Sequence, residues 1–428
     1  MKAIDRLICL FSICLIISCK QTPKEFVPNY DESKVPDYEL PDPLTFKSGK
    51  PVKNSSEWYS KRRPEILKLF EEKVYGKIPE FEYDQVFVLN DCDSSALNGT
   101  AVRKQVTIKL IGNDKSQDIH LLIYQPRSKD PVPAFLGYNF NGNHATNPDS
   151  AIMITSNWVM NSEELGITDN KASERSRGTN YSSWPAEFIV NNGFALATAY
   201  YGDVDPDFDD GFQNGVQGLI YNEGEQPGPD EWGSIAAWAW GLSRIMDYLE
   251  TDPSINALKV AVIGHSRLGK TALWAGALDE RFAIVISNNS GCGGAALSKR
   301  VFGETVGRIN KSFPHWFCDN FDDYNNKENK LPVDQHMLIA LIAPRPVYIA
   351  SATEDLWADP KGEFLAGLAA DTVYRFLGLP GLAVKTMPGP DNPSLDGYIG
   401  YHVRTGKHAL TQWDWEQYLK FAAKHFNL

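Results

Sequence analysis

The sequence predicts an α/β fold: a mostly parallel sheet flanked by helices and interrupted by long loop insertions. Two observations carry this expectation. Short apolar runs bounded by Gly, Asn, Asp or Pro alternate along the chain with longer stretches of helical spacing, the pattern of βαβ units. The 428 residues, 43% hydrophobic and 22% charged, suffice for one large core and lack the bias of disordered, collagen-like or coiled-coil chains.

Residues 1–18 read as an export signal. After Met1-Lys2, the apolar run from Leu7 to Ile17 is too short to span a bilayer, which takes about 20 residues. Ile16-Ile17-Ser18-Cys19 resembles a bacterial lipobox. The expectation is an exported lipoprotein, periplasmic or at the outer membrane of a Gram-negative bacterium, held to the membrane by a lipid on Cys19. Residues 19–50, rich in Pro, Asp, Lys and Ser, read as a tether, and 51–428 as the folded domain. Outside the signal and Cys19 remain Cys92, Cys292 and Cys318, an odd number that permits at most one disulfide without saying which. No CxxC or His-rich spacing supports a zinc site. With 42 Lys and Arg against 54 Asp and Glu, the net charge of −12 argues against a nucleic-acid partner.

The elements follow in order. Residues 58–75 place Ile66, Leu67, Leu69, Phe70 and Val74 at helical spacing, with Gly76 as the stop. Residues 106–110, 119–124, 134–138 and 194–200 read as strands, and 232–249 as an apolar helix carrying Trp238 and Trp240. A short buried strand at 260–263 precedes a helix at 271–278. Strands at 284–286 and 347–350 and a closing helix at 413–421 complete the pattern. The insertions span 144–185 and 202–230. The second holds Asp203, Asp205, Asp207, Asp209 and Asp210 but lacks the glycine and terminal glutamate of a calcium loop, so it reads as solvated.

The most informative stretch runs from Val260 to Lys270. A buried strand enters a tight turn at Gly264-His265-Ser266 and leaves as a helix, the architecture that exposes a serine hydroxyl on a strand-to-helix bend. Leu268 stands where the second glycine of G-x-S-x-G belongs. Residues 264–271 also satisfy the phosphate-loop pattern G-x-x-x-x-G-K-T. Bulky His265, Arg267 and Leu268 crowd a loop that would wrap phosphates with its backbone, and the motif follows several strands rather than the first. The hydrolase reading is therefore preferred. A serine needs an imidazole base and a carboxylate that orients it. In α/β-hydrolases these follow in the order Ser, acid, His. Asp355, just past the strand at 347–350, and His408, before the closing helix, fit that order, with Glu354 and His402 as competitors. His120, His336 and His425 read as structural.

These residues resemble carbohydrate esterase family 15, the glucuronoyl esterases. The likeness rests on Trp58 with Arg62-Arg63-Pro64-Glu65, on Gly264-His265-Ser266-Arg267-Leu268-Gly269-Lys270, on Ser290-Gly291-Cys292-Gly293-Gly294, on Asp355-Leu356-Trp357 and on His408. It implies an α/β-hydrolase fold and cleavage of 4-O-methyl-glucuronoyl esters between glucuronoxylan and lignin alcohols, without metal or organic cofactor. It further implies that Ser266 attacks, His408 carries the proton, Asp355 orients His408 and Arg267 stabilises the oxyanion. Lys270 and Glu304 would bind sugar hydroxyls, and Trp357 would border the ring. Many members carry the acid as a glutamate directly before Ser-Gly-x-Gly-Gly; here Asn289 stands there, so the acid is expected at Asp355. The 139–144 loop is a candidate for the other side of the oxyanion site. Two rivals remain: an acetyl xylan or other carbohydrate esterase on the same fold, and a noncatalytic glycan-binding lipoprotein with a decayed triad, which Asn289 motivates. Quaternary state is not legible.

Overall fold

The structure, a computed structural model, describes residues 26–428; the export signal and Cys19 lie outside the described residues. Nine strands form one sheet: β1 (Asp84–Ser95), β2 (Ala101–Gly112), β3 (Lys115–Pro126), β4 (Val132–Asn139), β5 (Ala195–Tyr200), β6 (Ile255–His265), β7 (Ile284–Asn288), β8 (Val347–Ala352) and β9 (Ile399–Arg404). Their order is β1-β2-β3-β5-β4-β6-β7-β8-β9. β1, β2 and β3 form an antiparallel meander that joins β5 antiparallel, and from β5 through β9 every pairing is parallel.

The parallel half is buried on both faces. In β4, β5, β7, β8 and β9 every residue is buried, as expected where crossover helices cover both sides. Side chains alternate between two cores. Leu136, Val262, Val285 and Ile349 pack with the helices Ser234–Thr251, Arg267–Leu278 and Pro360–Phe376 on one face. Phe135, Ile263, Ile286 and Tyr348 pack with Ala186–Asn191 and Gln412–Phe426 on the other. Trp58, Trp184, Trp232, Trp238, Trp240, Trp274 and Trp415 are buried in these cores, so most of the tryptophan content is scaffold.

The helix over 58–75 is present, wound with π turns at Trp58–Arg62 and Glu71–Tyr75 and ended by Gly76 at φ +85°. Within it Arg63 donates to the carbonyls of Ala277 and Leu341, and Arg62 to those of Asp42 and Pro43. The described part of the expected tether, 26–50, is therefore no free linker. His336 also bonds the Pro41 carbonyl, and Val52 returns its N–H to Leu44. Its polar composition concealed these attachments because the body supplies the partners.

The aspartate run also departs from expectation. Asp203, Asp205 and Asp207 are buried, not solvated, because Asp203 accepts the His120 N–H, the Asp205 carbonyl accepts the Trp238 indole and Asp207 accepts from His315 and Trp316, while Asp209 is exposed as expected. Cys92, Cys292 and Cys318 are all free thiols, the last two buried. No helix among the described residues is long and apolar enough to cross a membrane.

Candidate active site

The parallel strands aim their C-terminal ends at one cleft of about 320 Å³, lined by Ser266, Arg267, Lys270, Glu304, Asp355, Trp357 and His408 among others. All seven residues singled out for catalysis or substrate binding thus meet in one place. β6 delivers Ser266 at φ +57° and ψ −128°, a strained backbone for a non-glycine residue, and the helix Arg267–Leu278 starts directly after it. The bend requires Gly264: a Cβ there would lie 1.8 Å from the Leu268 carbonyl oxygen. Leu268, at the position of the missing second glycine, turns into the core at 1% exposure. The backbone N–H of Arg267, in the helix's first turn, has no acceptor in the helix ladder and is available to a ligand beside Ser266.

His408 arrives on the loop after β9. Its Nδ1 lies 2.6 Å from Asp355 Oδ2, which leaves Nε2 for the serine side. The same carboxylate oxygen accepts the Asn289 amide at 2.9 Å. Burial alone would raise the Asp355 pKa, but the hydrogen bond and charge of His408, with the Asn289 bond, hold it below the usual carboxylate range. The competitors fall away. Glu354 is exposed, and His402 is fully buried between Tyr348 and Asp414. His265 packs beside His408 with ring centroids 4.5 Å apart and bonds Asn288 at 2.6 Å. Burial and the neighbouring His408 charge push its pKa down to about 3, so it stays neutral and adds no like charge.

The other side of the cleft is a buried ion pair. Lys270 Nζ and Glu304 Oε2 are 4.0 Å apart, at 5% and 8% side-chain exposure. Burial lowers the Lys270 pKa and raises that of Glu304, while each partner's charge opposes the other's shift. Lys270 also donates to the Ser290 carbonyl, and the Thr271 hydroxyl to the Arg267 carbonyl. The Thr271 hydroxyl a phosphate loop would use is thereby committed to its own helix, while Lys270 keeps further N–H donors for the cleft. Trp357, 36% exposed, borders the opening.

Several site residues were not legible in the sequence. Asp207 Oδ2 accepts from the Arg267 guanidinium and the Tyr201 hydroxyl, and its Oδ1 from His315 and Trp316 at 2.9 and 2.7 Å. Burial opposes its charge, but these donors and Arg267 win and bring its pKa down to about 2. Arg267 lies over the Trp316 ring, 4.8 Å from its centroid. Glu363 accepts the N–H groups of Ser290 and Gly291 and the Ser351 hydroxyl, pinning the turn that presents Asn289. Of the 139–144 loop, Phe140 approaches the site, edge-on to His265, while Asn139 and Asn143 bond each other.

A nucleophile bend, a carboxylate-held imidazole and a parallel sheet ordered Ser, Asp, His define an α/β-hydrolase of the serine type. A family model described as fungal glucuronyl esterase matches residues 220–378. A carbohydrate esterase from an unidentified prokaryote is 52% identical over 97% of this chain and 98% of its own length. The solved glucuronoyl esterase of Solibacter usitatus is 45% identical, covering 92% of this chain and 100% of its own, with a TM-score of 0.86. A 4-O-methyl-glucuronoyl methylesterase of Wolfiporia cocos is 44% identical over 34% of this chain and 38% of its own. The chain belongs to carbohydrate esterase family 15, the glucuronoyl esterases, and is a carboxylic ester hydrolase.

Proposed function

We propose that the enzyme cleaves 4-O-methyl-glucuronoyl esters joining glucuronoxylan to lignin alcohols, through a covalent acyl-enzyme on Ser266. The observation that carries this reading is the pairing of two half-sites in one cleft. His408 and Asp355 stand on one side, and the buried Lys270–Glu304 pair on the other. Ser266 Oγ attacks the uronoyl carbonyl while His408 Nε2 takes its proton; the proton then passes to the departing alkoxide, and water repeats the sequence to free the acid. The imidazolium formed on the way is stabilised by Asp355. The Arg267 N–H and guanidinium receive the developing oxyanion, a role in which one lost donor costs about 10²–10³ in rate.

The substrate reading follows from charge. A uronate ester carries no charge, so its recognition falls to its hydroxyls, and a lysine beside a carboxylate offers both donor and acceptor to neighbouring hydroxyls. Trp357 supplies a flat apolar border for the pyranose. The methylesterase name of the fungal relative supports the same substrate class. The deciding experiment is hydrolysis of benzyl glucuronate by wild type and by Ser266→Ala, with acetylated xylan in parallel. Turnover of the glucuronate by wild type alone is expected. Turnover restricted to the acetyl substrate assigns the site to a different ester, and no turnover of any ester favours a glycan-binding protein.

A further inference from the structure

Residues 26–34 do not merely lead into the domain; they cross the rim of the cleft. Phe26 stands edge-on to Trp357, with centroids 6.1 Å apart at 84°, and the Arg308 guanidinium lies over the Phe26 ring, 5.6 Å from its centroid. The Asn29 carbonyl accepts the Gly303 N–H at 2.9 Å, and the next residue, Glu304, donates its own N–H to the Trp357 carbonyl at 3.0 Å. Gly303 admits this approach: its φ is +63°, and a Cβ would lie 2.4 Å from the Trp357 oxygen. Further along, the Glu32 carboxylate bridges Arg300 at 2.6 Å and Lys361 at 2.7 Å. Arg300 in turn bonds Asp359 at 2.8 Å.

These contacts share a geometry. Arg300 to Glu304 form one loop, Asp355 to Lys361 another, and the N-terminal segment is bonded to both. We propose that residues 26–34 are a positioning strap for the sugar subsite, in which Phe26 and Glu32 lock Trp357 and Glu304 against each other and so set affinity for the uronate. The inference rests on the assignment of Glu304 and Trp357 as sugar contacts. Trp357 is partly exposed and the aromatic ring packed against it is that of Phe26, whereas Asp355 is separately held by His408 and Asn289. Loosening the strap should therefore weaken substrate binding and leave the chemical step in place. A single surface ion pair contributes little, but a carboxylate that cross-links two loops restricts both.

The test uses the full chain with Phe26→Ala and Glu32→Gln as separate variants. Hydrogen–deuterium exchange over 300–304 and 355–361 should accelerate by roughly tenfold in both loops. KM for benzyl glucuronate should rise roughly five- to tenfold with kcat within about twofold. Hydrolysis of p-nitrophenyl acetate, which has no sugar to bind, should be unchanged. Unaltered exchange in the two loops overturns the proposal, as does an unchanged KM or a parallel loss on both esters. If wild type fails to hydrolyse benzyl glucuronate, the substrate assignment falls, while the exchange rates still decide whether the strap holds the loops.

Discussion

Replacing Asp355 by Asn keeps the shape of the site and removes its charge. In the wild type, Asp355 Oδ2 faces His408 Nδ1 at 2.6 Å and the Asn289 amide at 2.9 Å. The imidazolium that forms as Ser266 loses its proton gains from that carboxylate about 4 kcal/mol, taking charges about 4 Å apart at an effective dielectric of about 20. At about 1.4 kcal/mol per decade this predicts a fall in kcat of about 10³, and a wrong tautomer deepens it toward about 10⁴. Asn289→Ala removes one donor to the same oxygen; that bond exists in ground and transition states alike, so only the looser positioning of Asp355 costs rate, about three- to tenfold. Glu354→Gln alters an exposed side chain and should stay within about twofold. The assay is kcat on benzyl glucuronate for all three variants, with far-ultraviolet circular dichroism to confirm folding. Equal losses at Asp355 and Glu354, or a loss at Asn289 as large as that at Asp355, would refute the assignment of the acid.

Two further outcomes follow from buried carboxylates. Asp207→Asn turns one of two fully used acceptor oxygens into a donor, leaving either Arg267 and Tyr201 or His315 and Trp316 unpaired. Urea titration should show a loss of about 2–4 kcal/mol and kinetics a fall in kcat of about tenfold or more; a kcat within about twofold would mean that stacking on Trp316 alone holds Arg267. Glu363 has its pKa raised by burial from 4.5 to about 8, against the opposing bonds from Ser351, Gly291 and Ser290. The native state thus holds its proton where the unfolded chain releases it. Stability from this group is present below about pH 4.5 and is lost as pH rises to about 8, by a few kcal/mol. Glu363→Gln should flatten the decline in unfolding free energy between pH 5 and pH 8, and identical slopes for variant and wild type would contradict the burial argument.

The parallel sheet was legible because its strands are continuous apolar runs, and the bend at Ser266 because glycine and helix spacing mark it locally. β1 escaped notice since an edge strand is half exposed: Val86, Val88 and Leu89 all face solvent and no residue of the strand is buried. β9 was obscured by buried His402 and Arg404, whose polarity is satisfied by Asp414 and is invisible until that helix is docked. The helix Pro360–Phe376 follows so closely on the acid's turn that Asp359 serves as its cap, which hides the boundary. Asp207 could not be told from its neighbours by composition, because what distinguishes it is four donors that arrive from residues 201, 267, 315 and 316. Local pattern reveals elements; a charge stabilised by distant groups is legible only once the chain is folded.

Asn289 and Asp355 stand just past the ends of neighbouring strands, β7 and β8, and the Asn289 amide shares a single Asp355 oxygen with His408. The imidazole consequently looks toward two adjacent mounting points, only one of which is anionic here. A carboxylate could be handed from one mount to the other while the serine and histidine stay put, so the ionic half of the triad is the portion of this machine most free to relocate.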